Sequence, residues 1–463
     1  MNKTALKRSV CFLICCMMLA PLFSFGIRAE AVSSPSLENA SAVYLHHIES
    51  DTTVLTKSEN ESVGAGASVK VLSGLLLCEM LADQMDAEIY IDAELMDQLP
   101  AFTGRSLHIE SGDNVTVKEL LYAALCGSYN DAFYLLGAYA TSSTESFVER
   151  MNTRAKEIGC VNSIFEDPTG IVDGSRTSAA DMARIAMVAY QNETYMQFCN
   201  TVSHPFSSMK LQKTIYNRNA LICSYDTPKY YNKYCTGMSA GTTAKDGNSV
   251  ITVAKHENET YISVVLGGKE IEGVEFGYRI TNYMIDWVYK NFSYVEIISP
   301  ETEICTIPVT VSDFTNELTV RTNETLYAYL PAGLEIGKDI TYSIRLTNTS
   351  LEAPVSENAF VGFVAIMYGE RVLGTVRLFT TEGAERSGVV SSLQNIQALT
   401  SDRAVLSGII FFVLAISGWL LTEYLMIRRR RQKWDKYFSS KMELSETFIK
   451  PKDDNDQKNK KWK

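Results

Sequence analysis

The hydrophobic period changes part-way along this chain of 463 residues, and that change narrows the possible folds more than its composition does. Residues 42–55 alternate around Glu49-Ser50-Asp51, which predicts a β-hairpin. Apolar residues then recur at helical spacing. Residues 69–85 read as a buried helix. Residues 117–125 and 130–139 read as two helices around the polar break Gly127-Ser128-Tyr129-Asn130. Residues 145–158 form an amphipathic pattern stopped by Gly159, and 179–190 another behind the cap Ser178. Further on, 249–254 and 261–266 read as paired strands. Beyond Phe292 strand-like runs follow at 306–311, 318–320, 340–346, 359–367 and 372–379. The pattern predicts an α+β chain: a helix-rich domain over 32–290, then a small all-β domain over 291–381.

Both ends carry targeting patterns. Lys3, Lys7 and Arg8 precede an apolar run over 10–25, and Ala29-Glu30-Ala31 supplies a small-x-small cleavage site, predicting a signal peptide over 1–31. Residues 405–427 are almost wholly apolar, broken only by Glu423, and a bilayer crossing takes about 20 residues. Four arginines, 428 to 431, follow at once, with Lys433 and Lys436 behind, and such clusters mark the cytoplasmic side. The expectation is a single-pass type I protein of the cell membrane: ectodomain outside, a polar spacer over 382–403, a membrane helix over 404–427, and a disordered basic tail over 428–463 inside.

Several classes are set aside. With 43 Lys+Arg against 54 Asp+Glu the formal charge is -11, which argues against a nucleic-acid partner. Of ten cysteines, Cys11, Cys15 and Cys16 fall in the signal segment. Cys78, Cys126, Cys160, Cys199, Cys223, Cys235 and Cys305 remain, an odd number without a C-x-x-C pair. Cys78 and Cys126 sit in apolar helical runs and read as small buried hydrophobes. The five histidines lack metal-ligand spacing, and neither a phosphate loop nor a G-x-S-x-G elbow is present. No metal or cofactor is expected.

Chemistry concentrates at Gly66-Ala67-Ser68-Val69-Lys70. In S-x-x-K acyl-transfer enzymes a serine three residues before a lysine shares its helix face, so the amine can take the hydroxyl proton. Here that position is Ala67. Ser68 lies two residues before Lys70, about 200° away around the helix. The pattern is that of an acyl-transfer scaffold without its nucleophile.

The remaining motifs follow in order: Ser128-Tyr129-Asn130-Asp131-Ala132, then the run from Phe147 to Gly159, Asp167-Pro168-Thr169-Gly170, and the stretch from Thr177 to Ala186. After them come Gly237-Met238-Ser239-Ala240-Gly241-Thr242-Thr243 and Leu351-Glu352-Ala353-Pro354-Val355 with Val361-Gly362. Together they resemble the penicillin-binding, low-molecular-weight serine D-Ala-D-Ala carboxypeptidases of bacteria (peptidase S11). The resemblance implies a β-lactamase/transpeptidase-like domain, an antiparallel sheet with helices on both faces, followed by the small β domain. In that family a serine attacks the penultimate D-Ala carbonyl with lysine as its base, S-x-N relays protons and holds the substrate amide, and the K-T-G lysine neutralises the terminal carboxylate.

Lys70, Ser128, Asn130 and Gly241 are retained, whereas Ala67, Ser239 and Ala240 replace the serine and the K-T of K-T-G. Cys235-Thr236-Gly237 is a competing match, but it also lacks the lysine and breaks the downstream register. Loss of an activated nucleophile costs on the order of 10⁶ in rate. Loss of the cation removes a bond of about 1.5–3 kcal/mol to a carboxylate. The expectation is a pseudoenzyme of the peptidoglycan system, with Lys70, Ser128 and Asn130 vestigial and Ser239, Ala240 and Gly241 a degenerate substrate strand. Its partner would be peptidoglycan or an envelope protein. The alternatives are an active carboxypeptidase with another nucleophile, and a structural envelope spacer. Lys70 is expected to pair with Ser128 and Asn130, and Asp181 to be an ordinary first-turn acid.

Overall fold

The computed structural model describes residues 33–101, 104–225, 228–401 and 403–443, so the expected signal segment lies outside the described residues. The chain divides into two compact units. One holds the residues up to Ser299 with Thr325–Tyr342 and Ile366–Gly374. The other holds Pro300–Glu324, Ser343–Ala365 and the chain from Thr375.

The first unit is built on five strands and five principal helices. In chain order these are β1 (Ala42–His47), β2 (Thr52–Lys57), α1 (Val69–Leu81), α2 (Asn130–Thr141), α3 (Thr144–Ile158) and α4 (Ala179–Gln191). Then come β3 (Cys235–Thr243), β4 (Gly247–His256), β5 (Glu259–Gly268) and α5 (Phe276–Asn291). The strands form one antiparallel sheet in the order β2-β1-β5-β4-β3. β4 and β5 are buried along nearly their whole length, because both faces of the sheet are covered. On one face Ile251, Val253, Val264 and Leu266 join the core of α1 and α4. On the other, Val43, Leu45 and Val265 meet Ile280, Met284 and Val288 of α5. The expected two-faced arrangement is therefore present.

α1 is buried almost all round, as its sequence requires, and so forms the axis of the helical layer. α3 ends at Gly159 in the left-handed conformation, and α4 begins behind Ser178, whose side chain accepts from the Asp181 amide. Both boundaries follow from the capping residues. α5, with Tyr278, Thr281, Met284, Ile285 and Val288 on its buried stripe, went unread in the sequence.

In the second unit, Glu303–Thr310 pairs antiparallel with Glu317–Arg321, and Leu351–Glu352 lies parallel to the former. Two helices follow: α6 (Gly388–Ser401) and α7 (Arg403–Glu443). The segment read as a polar spacer thus contains a helix. The basic segment read as disordered is helical through Glu443, and residues beyond 443 lie outside the described residues. A single helix among the described residues, Arg403–Phe438, is long and apolar enough to cross a membrane, an 18-residue stretch of it having a mean hydropathy of 2.4.

Candidate active site

A short 3-10 turn, Gly66–Ser68, carries Ala67 and leads directly into α1. A buried carboxylate holds that turn in place. Asp167 Oδ1 accepts from the amides of Thr169 (2.7 Å) and Gly170 (2.8 Å) and the hydroxyls of Thr169 (2.6 Å) and Tyr134 (3.3 Å), while Oδ2 accepts from Val172 N (3.0 Å). Gly170, at φ +75°, packs so tightly on the Gly66 carbonyl that a Cβ there would collide with it. Ser73 Oγ donates to Pro168 O (2.6 Å), tying α1 to the same loop. Ser68 Oγ donates to Ala65 O at 2.5 Å. The two serines nearest Ala67 on this helix therefore spend their hydroxyls on backbone.

The second wall comes from the break before α2. Val117–Leu121 runs into a π-helical turn, Tyr122–Cys126, closed by Gly127 N to Tyr122 O at 3.1 Å. Such wide turns gather at functional sites. Ser128 follows at φ +57°, an unfavourable conformation for a residue with a Cβ. Lys70 Nζ donates to Ser128 O (3.0 Å) and meets Ser128 Oγ at 2.8 Å. Burial pushes the Lys70 amine down to about 7, with the Arg105 and Arg218 charges adding to the shift and Asp167 and Asp131 opposing it. Lys70 is therefore a base poised near neutrality. Asn130 opens α2 and faces the same cleft.

The third wall is β3. Ser239, Ala240 and Gly241 pair with Ile251, Val250 and Ser249 of β4. Gly241 comes so close to Ala67 that a Cβ on it would lie 2.7 Å from the Ala67 Cβ. Gly237, the glycine of the competing match, packs instead against Cys199 and Met196. A cleft of about 550 Å³ opens among Ala67, Lys70, Ser128, Asn130, Ala240 and Gly241. Ser239 lines a narrower recess that shares Lys70, Ser128 and Ala240 with it.

Sequence reading missed two cleft residues, Arg105 and Arg218. Loss of the K-T-G lysine implies loss of the carboxylate's cation, and these two arginines also line the cleft. Each sits in a loop, outside any local periodicity. Asp131 fixes the first loop: its Oδ2 accepts from Ser106 Oγ (2.7 Å), Leu107 N (2.9 Å) and His108 N (3.1 Å). Asp181 is likewise more than a first-turn acid. Fully buried, it accepts from Asn162 N (2.7 Å) and Ser163 Oγ (2.8 Å) and pairs with Arg184 (2.5 Å).

The seven cysteines are free thiols, and burial raises Cys126, Cys160 and Cys235 to about 12. None of those three is a thiolate nucleophile at neutral pH. Among the described residues no group of three or more His, Cys, Asp or Glu side chains could hold a metal ion.

A lysine one turn along a buried helix, a serine–asparagine break and a glycine-bearing edge strand, all around one cleft, define a serine acyl-transfer fold of the penicillin-binding kind. The chain belongs to the D-alanyl-D-alanine carboxypeptidase family, peptidase S11, whose sequence model matches residues 28–270, more than half its length. It is 24% identical over 351 residues to the D-alanyl-D-alanine carboxypeptidase DacF of Bacillus subtilis, covering 75% of this chain and 87% of that one. It is 28% identical over 291 residues to DacC of Escherichia coli, covering 62% and 69%. Penicillin binding protein 6B from Escherichia coli shares the fold, with a TM-score of 0.56 at 19% identity over 75% of this chain and 97% of that one. Penicillin binding protein 5 from Haemophilus influenzae does so with a TM-score of 0.54 at 20% identity, over 76% and 100%.

Proposed function

We propose that this protein binds peptidoglycan stem-peptide ends in the extracytoplasmic envelope without the family's acylation chemistry, anchored by the helix over 404–427 with its basic tail inside. One observation carries the reading. Ala67 occupies the position three residues before Lys70, against Gly241, and neither Ser68 nor Ser73 offers its hydroxyl to the cleft. Ser239 and Ala240 complete the loss, while Arg105 and Arg218 keep the cleft suited to a carboxylate. In this role the module binds wall peptide or presents the cleft to an envelope protein.

One contact favours a second reading, residual acyl transfer. Ser128 Oγ lies 2.8 Å from a lysine whose amine is lowered to about 7, a serine–lysine pair in its own right. Fluorescent penicillin labelling of the detergent-solubilised full chain separates the two. The expected result is no covalent adduct and no D-Ala released from a pentapeptide. A stable adduct mapped by mass spectrometry to Ser128 would overturn the binding reading. Conversely, Ala67→Ser combined with Ser239→Lys and Ala240→Thr should gain labelling. A folded but inert triple variant would count against assigning 239–241 to the third motif.

A further inference from the structure

The cleft carries more positive charge than one peptide terminus needs. Of the charged side chains that line it, Lys70 is bonded to Ser128, Lys245 is paired with Asp173 at 3.1 Å, and the Asp246 carboxylate lies against Gly64. Arg105 and Arg218 remain. The Arg105 guanidinium is pinned at one edge only: Nε donates to Gly127 O at 2.8 Å, and Cζ lies 4.5 Å from the Tyr129 ring centre. Its backbone is held by Asn130 N, which donates to Arg105 O at 2.8 Å, and by the Asp131 clamp on the next three residues. Its two terminal nitrogens have no acceptor among the described residues. The Arg218 guanidinium, half-buried, makes neither a hydrogen bond nor an ion pair among them.

Two arginines therefore line one cleft from separate segments of a chain whose net charge is -11. Cations gathered at one cleft favour an anionic ligand, and planar forks match carboxylates two bonds at a time. Position separates their tasks. Arg218 also lines the recess of Ser239 and Ala240, where a terminal carboxylate would be neutralised, whereas Arg105 does not.

We infer that Arg105 and Arg218 form a paired anion receptor, so that the cleft prefers a peptide whose last residue carries two carboxylates over one ending in a single carboxylate. Arg218 takes the C-terminal carboxylate and Arg105 the acidic side chain. The inference rests on the peptide-binding reading above for the identity of the ligand, but not for the receptor itself.

Calorimetric titration of the full chain in nanodiscs at fixed salt tests it with three probes: acetyl-Lys-D-Ala-D-Ala, acetyl-Lys-D-Ala-D-Glu and glutarate. The D-Glu peptide should bind roughly ten-fold or more tighter than the D-Ala peptide, the size of one charge-assisted contact. Arg105→Ala should erase that preference, while Arg218→Ala should weaken both peptides. Arg105→Lys, which keeps the charge without the fork, should retain part of the preference. It also serves as the folded comparison if the alanine variant fails to melt cooperatively. Equal binding of the two peptides, or a preference that survives loss of Arg105, overturns the receptor while leaving peptide binding standing. Glutarate binding that depends on both arginines, with neither peptide bound, upholds the receptor and removes the peptide reading. Silence from all three probes overturns both.

Discussion

Lys70 is the residue whose surroundings most alter its chemistry. Its side chain is buried at the cleft wall, and that burial lowers the amine to about 7 from 10.5. Between those two pH values the unfolded chain binds a proton that the folded chain does not, so stability rises with pH across that window and the penalty of the buried charge is felt below it. Urea unfolding from pH 7 to 9 should show the wild type gaining relative to Lys70→Met, by up to about 1.4 kcal/mol per pH unit. Parallel pH profiles for the two proteins would mean that Lys70 stays charged when folded. The retained lysine thus carries a cost in stability at neutral and acidic pH, which fits a side chain kept for the cleft rather than for the core.

At the level of elements, the clamp on α1 comes from a loop nearly a hundred residues away. Asp167 gathers five hydrogen bonds in a buried site, and Gly170 meets Gly66 with no room for a side chain. Asp167→Ala should therefore destabilise the first unit by about 3 kcal/mol, since several donors are left without an acceptor. Ser73→Ala, which removes one bond to Pro168 O, should cost about 1 kcal/mol. Denaturant midpoints at constant slope would measure both, and a neutral Asp167→Ala would remove the clamp from the account.

Elements whose cause is local were legible in the sequence. α1 was visible as an unbroken apolar run, α3 and α4 through Gly159 and Ser178, and the hairpin of β1 and β2 through its turn. What stayed hidden has non-local causes. The apolar pattern of residues 122–126 is the same for an α turn and the wider turn found there, because both bury one side of the chain. Asp181 showed only its relation to Ser178, since Asn162 and Ser163 reach it through the fold. Ala67 and Lys70 announced the site by spacing, whereas Arg105 and Arg218 belong to it only because Asp131 and the strand pairing bring their loops there.

For the whole molecule, the apolar helix and its basic continuation lead to a topological expectation. Protease added to intact protoplasts should digest the ectodomain and spare an epitope placed after Lys463, as the arginine cluster requires. Cleavage of that epitope from outside would reverse the orientation and detach the cleft from the wall.

α7 is one unbroken helix of 41 residues, about 60 Å long at 1.5 Å per residue, against a hydrocarbon core of about 30 Å. An unbroken helix keeps angular phase. Trp434 follows Ile427 by seven residues, so the two share a face to within about 20°, and Tyr437 and Phe438 lie within ring contact of Trp434. The aromatic trio is thereby indexed to one flank of the apolar segment, as a pointer is to its shaft. A single residue inserted among the arginines would swing that pointer by about 100° while leaving the charge unchanged, which distinguishes a tail read by its direction from one read by its charge alone.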